Sequence, residues 1–282
     1  MGMQINTNLA ANNTYRTLNN TQNDLSKSLE KLSSGMRINR AGDDAAGLAI
    51  SEGLKSQANG MGVAARNAQD GISVIQTAEG SLSEVHTILQ RVRDLAVQAG
   101  NDSNNADSRK AIATEVTALG AELTRISASS EFNGTNLLGD KTAANAKTSL
   151  TFQVGANGTA ADQISVNLTD VSLIGTAVTG LATAGFADPA AALTTIAALD
   201  TQIKNVSTAR AELGASQNRF ESVVRNLQVS KENLTAANSR IRDTDMAEEM
   251  VKFTKNNILS QAGTAMLAQA NQSSQGVLQL LR

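Results

Sequence analysis

One apolar ladder near the C-terminal end constrains the fold of this chain more than any other feature. An apolar side chain returns every seven residues without interruption, at Leu199, Val206, Leu213, Phe220, Leu227, Leu234 and Ile241. A second row follows three positions behind, at Ala209, Ser216, Val223, Ser230 and Ala237. A seven-residue repeat of this length keeps one narrow stripe against a partner helix, which is the coiled-coil condition. We therefore predict a helix of roughly 50 residues, about 75 Å long, which is a rod.

Sequence signals also place the start of this helix and identify a partner for it. Asp188 is a suitable N-cap, and Pro189 stands at the position where a missing N–H costs nothing. A second ladder predicts a helix of similar length that begins after Asp43 and Asp44 and ends near Ala99; its members are Met61, Ala68, Ile75, Leu82, Leu89 and Ala96. The two long helices are natural partners, either antiparallel or parallel.

Three further helices are predicted from their apolar spacing. The first covers about 6–33 and is interrupted by Ser34 and Gly35. Apolar residues and one glutamine recur along it at alternating spacings of three and four. This seam consists of Tyr15, Leu18, Gln22, Leu25, Leu29, Leu32 and Met36. Another runs from Ile112 to Ile126. The last begins at Asp245 and Glu248, which have the spacing of a capping box, and its apolar face includes Leu259, Ala262, Met266, Ala270, Val277 and Leu281.

The middle of the chain has a different character. Residues 150–154 and 164–168 alternate apolar and polar side chains, and a glycine-containing stretch separates them, so a β-hairpin with a long loop is predicted. The remainder of 141–187 is rich in Ala, Thr, Gly and Asn and lacks the helical period. The predicted fold class is mainly α, an elongated rod of long coiled-coil-like helices with a small β-hairpin region at about 141–187. The predicted segments are 1–42, 43–241 and 242–282.

Both ends of the chain lack charge. No charged side chain occurs between Met1 and Tyr15, or between Asn256 and Leu281. Helices exposed to water normally carry Lys and Glu, whereas uncharged carboxamide and hydroxyl faces suit burial among many copies, where no charge has to be desolvated. The alternative is a low-charge disordered tail, but the regular apolar spacing favours an assembly seam, which we assign to Leu18, Leu25, Leu29, Leu32, Leu259, Met266, Val277 and Leu281.

Several functional classes are disfavoured by composition. A net charge of −2 gives no electrostatic support for nucleic-acid binding. The chain has no cysteine and one histidine, His86, so His clusters and thiolate chemistry are excluded. No apolar run approaches the ~20 residues of a membrane span, and Met1–Asn6 does not have the pattern of a secretory signal. We predict no enzyme, no cofactor and no metal, and we interpret the acidic cluster at Asp243, Asp245, Glu248 and Glu249 as capping rather than a cation site.

Long strings of this sequence resemble those of bacterial flagellins. The N-terminal signature is Leu32-Ser-Ser-Gly-Met-Arg-Ile-Asn-Arg-Ala-Gly-Asp-Asp-Ala-Ala-Gly-Leu-Ala-Ile50, followed by similar strings at 67–80 and 90–98. At the other end the signature is Asn233-Leu-Thr-Ala-Ala-Asn-Ser-Arg-Ile-Arg-Asp-Thr-Asp-Met-Ala247, followed by 256–261 and 277–282. The resemblance covers nearly the whole chain. The exception is the middle, where many flagellins insert outer domains and this chain has only the hairpin region and a short link.

The resemblance implies a filament subunit whose terminal helices line a central tube and whose long helices form the surrounding shell. It implies export through the flagellar channel to an extracellular filament. The implied partners are further copies of the chain, an export chaperone, and filament cap and junction proteins. It also implies recognition by the vertebrate Toll-like receptor for flagellin, through Arg91, Leu95 and Glu115. A hook–filament junction protein of the same superfamily is the alternative.

Overall fold

A computed structural model describes residues 8–139 and 147–280. Within these ranges the chain is mainly helical, with two short antiparallel hairpins, which confirms the predicted fold class. The helices are α1 (Leu9–Ser34), α2 (Ala45–Ala99), α3 (Ala106–Ser129), α4 (Ser172–Ala184), α5 (Pro189–Arg242) and α6 (Met246–Leu280). The strands are β1 (Glu131–Phe132), β2 (Thr135–Asn136), β3 (Ser149–Gln153) and β4 (Gln163–Asn167).

Helix α5 follows the ladder that predicted it. It has 54 residues and begins at Pro189. Asp188 is its N-cap, because its carboxylate accepts a hydrogen bond of 2.7 Å from the amide of Ala191. The ladder residues from Leu199 to Leu227 are buried, whereas Leu234 and Ile241 are half-buried. The sequence therefore predicted both the start of the helix and its buried stripe.

The chain divides into two compact units. The first comprises Met1–Ala58 and Glu232–Arg282, and the second comprises Asn59–Lys231. Helices α2 and α5 each contribute one end to the first unit and the rest to the second. The hydrophobic core lies in the second unit, where the largest fully buried side chains include Ile75, Leu82, Leu89, Leu123, Leu137, Leu138, Leu199 and Phe220.

In the second unit α2 and α5 are antiparallel, which settles a direction that the sequence left open. Arg93 of α2 forms an ion pair of 2.6 Å with Asp200 of α5, and Glu79 lies 3.6 Å from Arg210. Further along, Gly71 lies against the ring of Phe220. The residue number falls on α5 as it rises on α2, so the two helices run in opposite directions.

The predicted hairpin is present and packs into the core. Strands β3 and β4 are antiparallel, with Leu150 opposite Val166 and Phe152 opposite Ile164. The Phe152 ring meets Phe220 edge to face at 5.5 Å, and the Asn67 side chain of α2 donates a hydrogen bond of 3.0 Å to the carbonyl of Gln153. The hairpin is thus fixed to both long helices of the second unit by aromatic packing and a hydrogen bond.

A second, very short hairpin follows α3. Strands β1 and β2 are joined by Asn133 and Gly134, which have φ values of 49° and 72°. Asparagine followed by glycine is the preferred pair where both central residues of a hairpin turn need a positive φ. The sequence predicted a turn here and not the strands.

The sequence shows no sustained helical period in the rest of 141–187, yet the structure has a helix there. Helix α4 lies in this range and packs against α3, burying Ile174, Val178 and Ala182. A Cβ on Gly120 would lie 2.6 Å from the Thr179 hydroxyl, and one on Gly175 would lie 2.6 Å from the Thr124 hydroxyl. Gly175 of this stretch and Gly120 of α3 allow the two helices to approach closely.

The first unit is built on an antiparallel pair, α1 with α6. At one end of the pair the Asn8 side chain donates a hydrogen bond of 2.9 Å to the carbonyl of Ala270. Nearer the middle, the Leu18 side chain lies against Gly263.

In the described ranges, no helix of either unit is both long and apolar enough to cross a membrane.

A pair of turns closes the other end of the first unit. We call this arrangement the clasp: residues 35–44, between α1 and α2, together with residues 243–245, between α5 and α6. Met36 and Asp243 form an isolated antiparallel bridge, and the amide of Thr244 donates to the carbonyl of Gly35 at 3.0 Å. Ile38 of the first turn is 2% exposed. The clasp thus ties together two segments that are distant in sequence.

Candidate assembly surface

Helix α6 turns a polar and small-residue face toward α1. Its buried and half-buried positions recur at spacings of three and four, and between Glu249 and Ala270 they include Phe253, Asn256, Ser260, Gly263 and Leu267. Two of these residues, Phe253 and Leu267, are large and apolar. Such a face permits close approach of the helices but buries little apolar surface, so it stabilises the pair weakly.

The large apolar side chains of α6 lie mainly on its exposed side. Val251 is 68% exposed and Ile258 is 61% exposed. Val251, Ile258 and Ala265 form one row at seven-residue spacing, and Leu259 and Met266 form the row beside it. We call these two rows the α6 stripe. Charged side chains are absent from its larger part, because none occurs after Lys255 before Arg282.

Two shallow grooves accompany the α6 stripe. One, of about 490 Å³, lies on α6 itself and is lined by Met250, Val251, Thr254, Lys255, Ile258 and Leu259. The other, of about 380 Å³, lies between α1 and α6, with Leu18 and Thr21 on one side and Leu259 and Met266 on the other. Exposed apolar patches of this kind mark interaction sites in soluble proteins.

Helix α1 shows the same division of its faces. Its inner face combines leucines with small and hydroxyl side chains, namely Ala11, Thr14, Leu18, Thr21, Leu25, Ser28 and Leu32. Tyr15 and Leu29 are 57% and 56% exposed. The buried face is thus rotated relative to the predicted seam, which placed Tyr15 and Leu29 in the same stripe as Leu18. The rotation leaves Tyr15 and Leu29 facing solvent, with the polar Gln22 midway between them in the sequence.

The predicted seam residues therefore fall into two groups. Leu18, Leu25 and Leu32 are half-buried in the α1–α6 pair, whereas Leu29, Leu259 and Met266 are exposed. Val277 falls within α6, and Leu281 lies outside the described residues. Sequence reasoning missed Met250, Val251 and Ile258. Their signal was the row formed by Val251, Ile258 and Ala265 beside the predicted pair Leu259 and Met266.

The acidic cluster after α5 caps a helix, as the sequence predicted. The Asp245 carboxylate accepts hydrogen bonds from the amides of Ala247 and Glu248 at 2.9 and 3.2 Å. Glu248 pairs with Lys252 at 2.7 Å, which raises the pKa of the lysine through that hydrogen bond. Over residues 8–139 and 147–280 no group of His, Asp and Glu side chains is arranged to hold a metal ion.

Two neighbouring carboxylates stabilise the part of the clasp that precedes α2. The Asp43 carboxylate accepts from the amides of Arg40 and Asn39 at 3.0 and 3.2 Å, and these donations lower its pKa. The neighbouring Asp44 caps α2 by accepting from the amide of Gly47 at 2.8 Å. The sequence predicted that this pair would cap the helix, and Asp44 alone does so.

The three residues assigned to receptor recognition are placed differently from one another. Arg91 of α2 donates through Nε and a terminal nitrogen to one oxygen of Glu115 in α3, at 3.0 and 2.7 Å. Both side chains are exposed, at 56% and 43%. Leu95, one turn after Arg91, is only 2% exposed and belongs to the hydrophobic core. The structure brings Arg91 and Glu115 together on the surface and leaves Leu95 beneath it.

His86 has an ordinary helical environment. One ring nitrogen lies 3.0 Å from the Gln90 amide nitrogen, one turn further along α2. The side chain is half-buried, as expected for a residue at the edge of a helical seam.

Comparison with known proteins gives a consistent result over nearly the whole chain. The model of the bacterial flagellin N-terminal helical region matches residues 5–143, and the model of the C-terminal helical region matches residues 196–281. A flagellin of Bacillus subtilis is 52% identical, covering 99% of this chain and 100% of the relative. The flagellar filament 33 kDa core protein of Treponema phagedenis is 48% identical, with the same coverage.

One solved structure shares the fold at low identity. It is a putative flagellar hook-associated protein from Vibrio parahaemolyticus, 16% identical, with a TM-score of 0.58 over 71% of this chain and 100% of that one. At this identity the likeness concerns the fold alone.

The long antiparallel helices and the charge-free apolar stripe define a helical structural protein with surfaces suited to self-association. The chain belongs to the bacterial flagellin family, whose members are structural proteins of the extracellular flagellar filament.

Proposed function

We propose that this chain polymerises into a flagellar filament and that its two terminal segments, 1–42 and 242–282, drive the assembly. The observation that carries the proposal is the arrangement of α6. The face of this helix that packs against α1 is made mainly of polar and small residues, whereas Val251, Ile258 and Met266 are exposed. A monomer gains nothing from such an arrangement, whereas a polymer covers the stripe.

The energetics favour many copies over one. Burying an exposed valine, leucine or methionine side chain contributes about 1.5–3 kcal/mol. Several such side chains occur on α6, and Tyr15 and Leu29 add to them on α1. Because few of these surfaces carry charge, their burial requires little desolvation of ions. A helical polymer repeats the gain at every subunit.

The second unit supplies a different kind of surface, suited to lateral packing of subunits. Its core is already closed, and its long helices carry exposed ion pairs such as Arg91 with Glu115 and Arg125 with Glu122. Individual surface ion pairs are weak. In this proposal they set the register between neighbouring copies, and the terminal segments provide most of the free energy.

The remaining partners follow from the same surfaces. In the cell, before export through the flagellar channel, the α6 stripe needs a cover, and a dedicated chaperone would supply it. Cap and junction proteins at the ends of the filament would meet the same terminal helices. These partners bind apolar helix faces rather than charged sites.

Negative-stain microscopy of the purified full-length chain tests the proposal directly. Filaments should form as the protein concentration is raised, with a lag that seeds of sheared filament remove. A chain that stays monomeric at all soluble concentrations overturns the proposal. The rival, a hook–filament junction protein, predicts short oligomers or rings and no long polymer.

We further propose that the monomer is a ligand of the vertebrate Toll-like receptor for flagellin. The support is the exposed pair Arg91 and Glu115, which joins α2 to α3 and offers both charges to a partner. Leu95 contributes by holding α2 in the core, since it is not accessible itself.

A receptor reporter assay with charge-reversed variants tests this second proposal. Arg91→Glu should reduce activation strongly, because it removes the cation and repels Glu115. The control is Arg125→Glu, which breaks the α3 ion pair with Glu122 on a different part of the surface. Equal activation by the two folded variants would contradict the proposal.

A further inference from the structure

We infer that Met250 and Met266 are modification sites, oxidised to the sulfoxide in the free subunit by peroxides or hypohalous acids, and that this oxidation blocks polymerisation. The inference rests on the proposed function. It begins from the exposure of these residues, 50% for Met250 and 62% for Met266.

Exposure and position together separate these methionines from the others that the structure describes. Met36, in the clasp, and Met61, on the seam of α2, are half-buried. Met246 is 47% exposed but stands at the first position of α6, beside the acidic cap, and lines neither of the two grooves. Thioether oxidation needs contact between the sulfur and the oxidant, so its rate follows exposure.

The composition of the chain directs an oxidant to methionine. There is no cysteine and no tryptophan, and there is one tyrosine. With no thiolate to compete, the exposed thioethers are the most readily oxidised side chains. In the reaction a lone pair of the sulfur attacks the terminal oxygen of a peroxide and the O–O bond breaks. Sulfur is oxidised, the peroxide is reduced, and water leaves.

The position of these residues gives the modification its consequence. Met250 lines the groove on α6 with Val251 and Ile258, and Met266 lines the groove between α1 and α6 with Leu18 and Leu259. A sulfoxide places a strong acceptor on a surface made largely of aliphatic groups. Burying that acceptor between copies without a donor is unfavourable. Once subunits have assembled, the same surfaces are covered and the sulfurs are protected.

The test begins with hydrogen peroxide treatment of the folded, full-length subunit and peptide mass spectrometry. Met250 and Met266 should be oxidised several-fold faster than Met36 and Met61 in the subunit, and protected in filaments. The oxidised protein should polymerise from seeds about tenfold more slowly than the untreated protein. Treatment with methionine sulfoxide reductases should restore the rate.

Variants assign the effect to the two residues. The Met250→Leu/Met266→Leu double variant has no thioether at these positions, so peroxide should not change its polymerisation rate relative to the same variant left untreated. The control, Met61→Leu, should remain as sensitive as the wild type. Loss of assembly by the oxidised double variant, or oxidation of Met61 as fast as Met266, overturns the inference.

One further outcome separates the inference from the function beneath it. If untreated wild type does not polymerise, the proposed function fails and the inference fails with it. If untreated wild type polymerises and the oxidised protein polymerises equally well, only the inference fails.

Discussion

The backbone amide of Arg37 donates a hydrogen bond of 2.6 Å to the carbonyl of Arg242. The side chain of Arg37 donates a second bond of 2.6 Å to the carbonyl of Ile241, which is 204 residues away in the sequence. The side chain of Arg242 in turn forms an ion pair of 2.6 Å with Glu52 of α2. These contacts connect the first helix junction of the chain to the last. They fix the directions in which α1 and α6 leave the clasp, and so the pairing of the two terminal helices.

The clasp depends on a left-handed residue, Gly35, at the end of α1. Its φ is +71°, and its amide donates to the carbonyl of Lys31. We expect Gly35→Ala to destabilise the first unit by about 1–2 kcal/mol, because a Cβ disfavours this conformation by that amount. Hydrogen exchange of the α1 and α6 amides measures the effect. The control is Gly42→Ala, in the same turn, where φ is not left-handed and a Cβ meets nothing within 4 Å. Similar exchange in both variants would contradict the prediction.

Close packing where α3 crosses α4 requires a glycine at position 120. We expect Gly120→Ala to destabilise the chain by about 1–3 kcal/mol, since its Cβ would press on both the hydroxyl and the backbone nitrogen of Thr179. Gly180→Ala, on the exposed side of α4, should stabilise by about 0.5–1 kcal/mol through helix propensity. Urea unfolding followed by circular dichroism distinguishes the two signs. The account of this crossing is wrong if both substitutions are neutral.

Tolerance to insertion should follow the packing of the middle region rather than its composition. The β3–β4 loop is exposed at Asn157 and Gly158, and a Cβ on Gly158 meets nothing within 4 Å. We expect an eight-residue insertion after Gly158 to leave the thermal unfolding midpoint nearly unchanged. The same insertion after Gly175 should prevent folding, because Gly175 is buried against Thr124 of α3. Equal tolerance at the two sites would contradict this view.

The two units should differ in their resistance to protease. The core lies in residues 59–231, whereas the α1–α6 pair is held by small and polar side chains. We expect trypsin to cleave first at Arg37, Arg40, Lys252 and Lys255, and to spare Arg93 and Arg210 in the second unit. Mass spectrometry of the fragments measures the order. Early cleavage at Arg93 or Arg210 would show that the core is placed wrongly.

The sequence predicted the features that depend on a sustained period. The α5 ladder, its cap at Asp188 and the α2 ladder were all readable, because seven-residue spacing and capping chemistry are local properties. Helix α4 was not readable. Its period is short, and Gly175, which lowers helix propensity in isolation, is favoured by its close contact with Thr124 of α3. That contact is invisible to any local pattern.

The candidate assembly surface could be predicted only in part. The absence of charge at both ends indicated burial among copies, and Leu259 and Met266 were identified from spacing. Which row of α6 faces α1 could not be predicted from apolar spacing. Gly263 and Ser260 lie on the inner face because small side chains fit closely there, and not because they are apolar. Likewise, the spacing of Arg91 and Leu95 predicted one shared face, but it did not reveal that Leu95 is buried in the core while Arg91 stays exposed.

The central claim is that the exposed apolar stripe of α6 drives polymerisation, and seeded assembly of paired α6 variants tests it most directly. The Val251→Gln/Ile258→Gln variant replaces two exposed apolar side chains by amides. The control, Thr264→Gln/Ala268→Gln, adds the same two amides at exposed positions of α6 that lie outside the stripe and line neither groove. The account predicts that the first variant raises the critical concentration for polymerisation at least about tenfold, since each lost burial is worth more than 1 kcal/mol, while the control stays close to wild type. A stripe variant that polymerises as readily as the control, with helix content unchanged, would contradict the account.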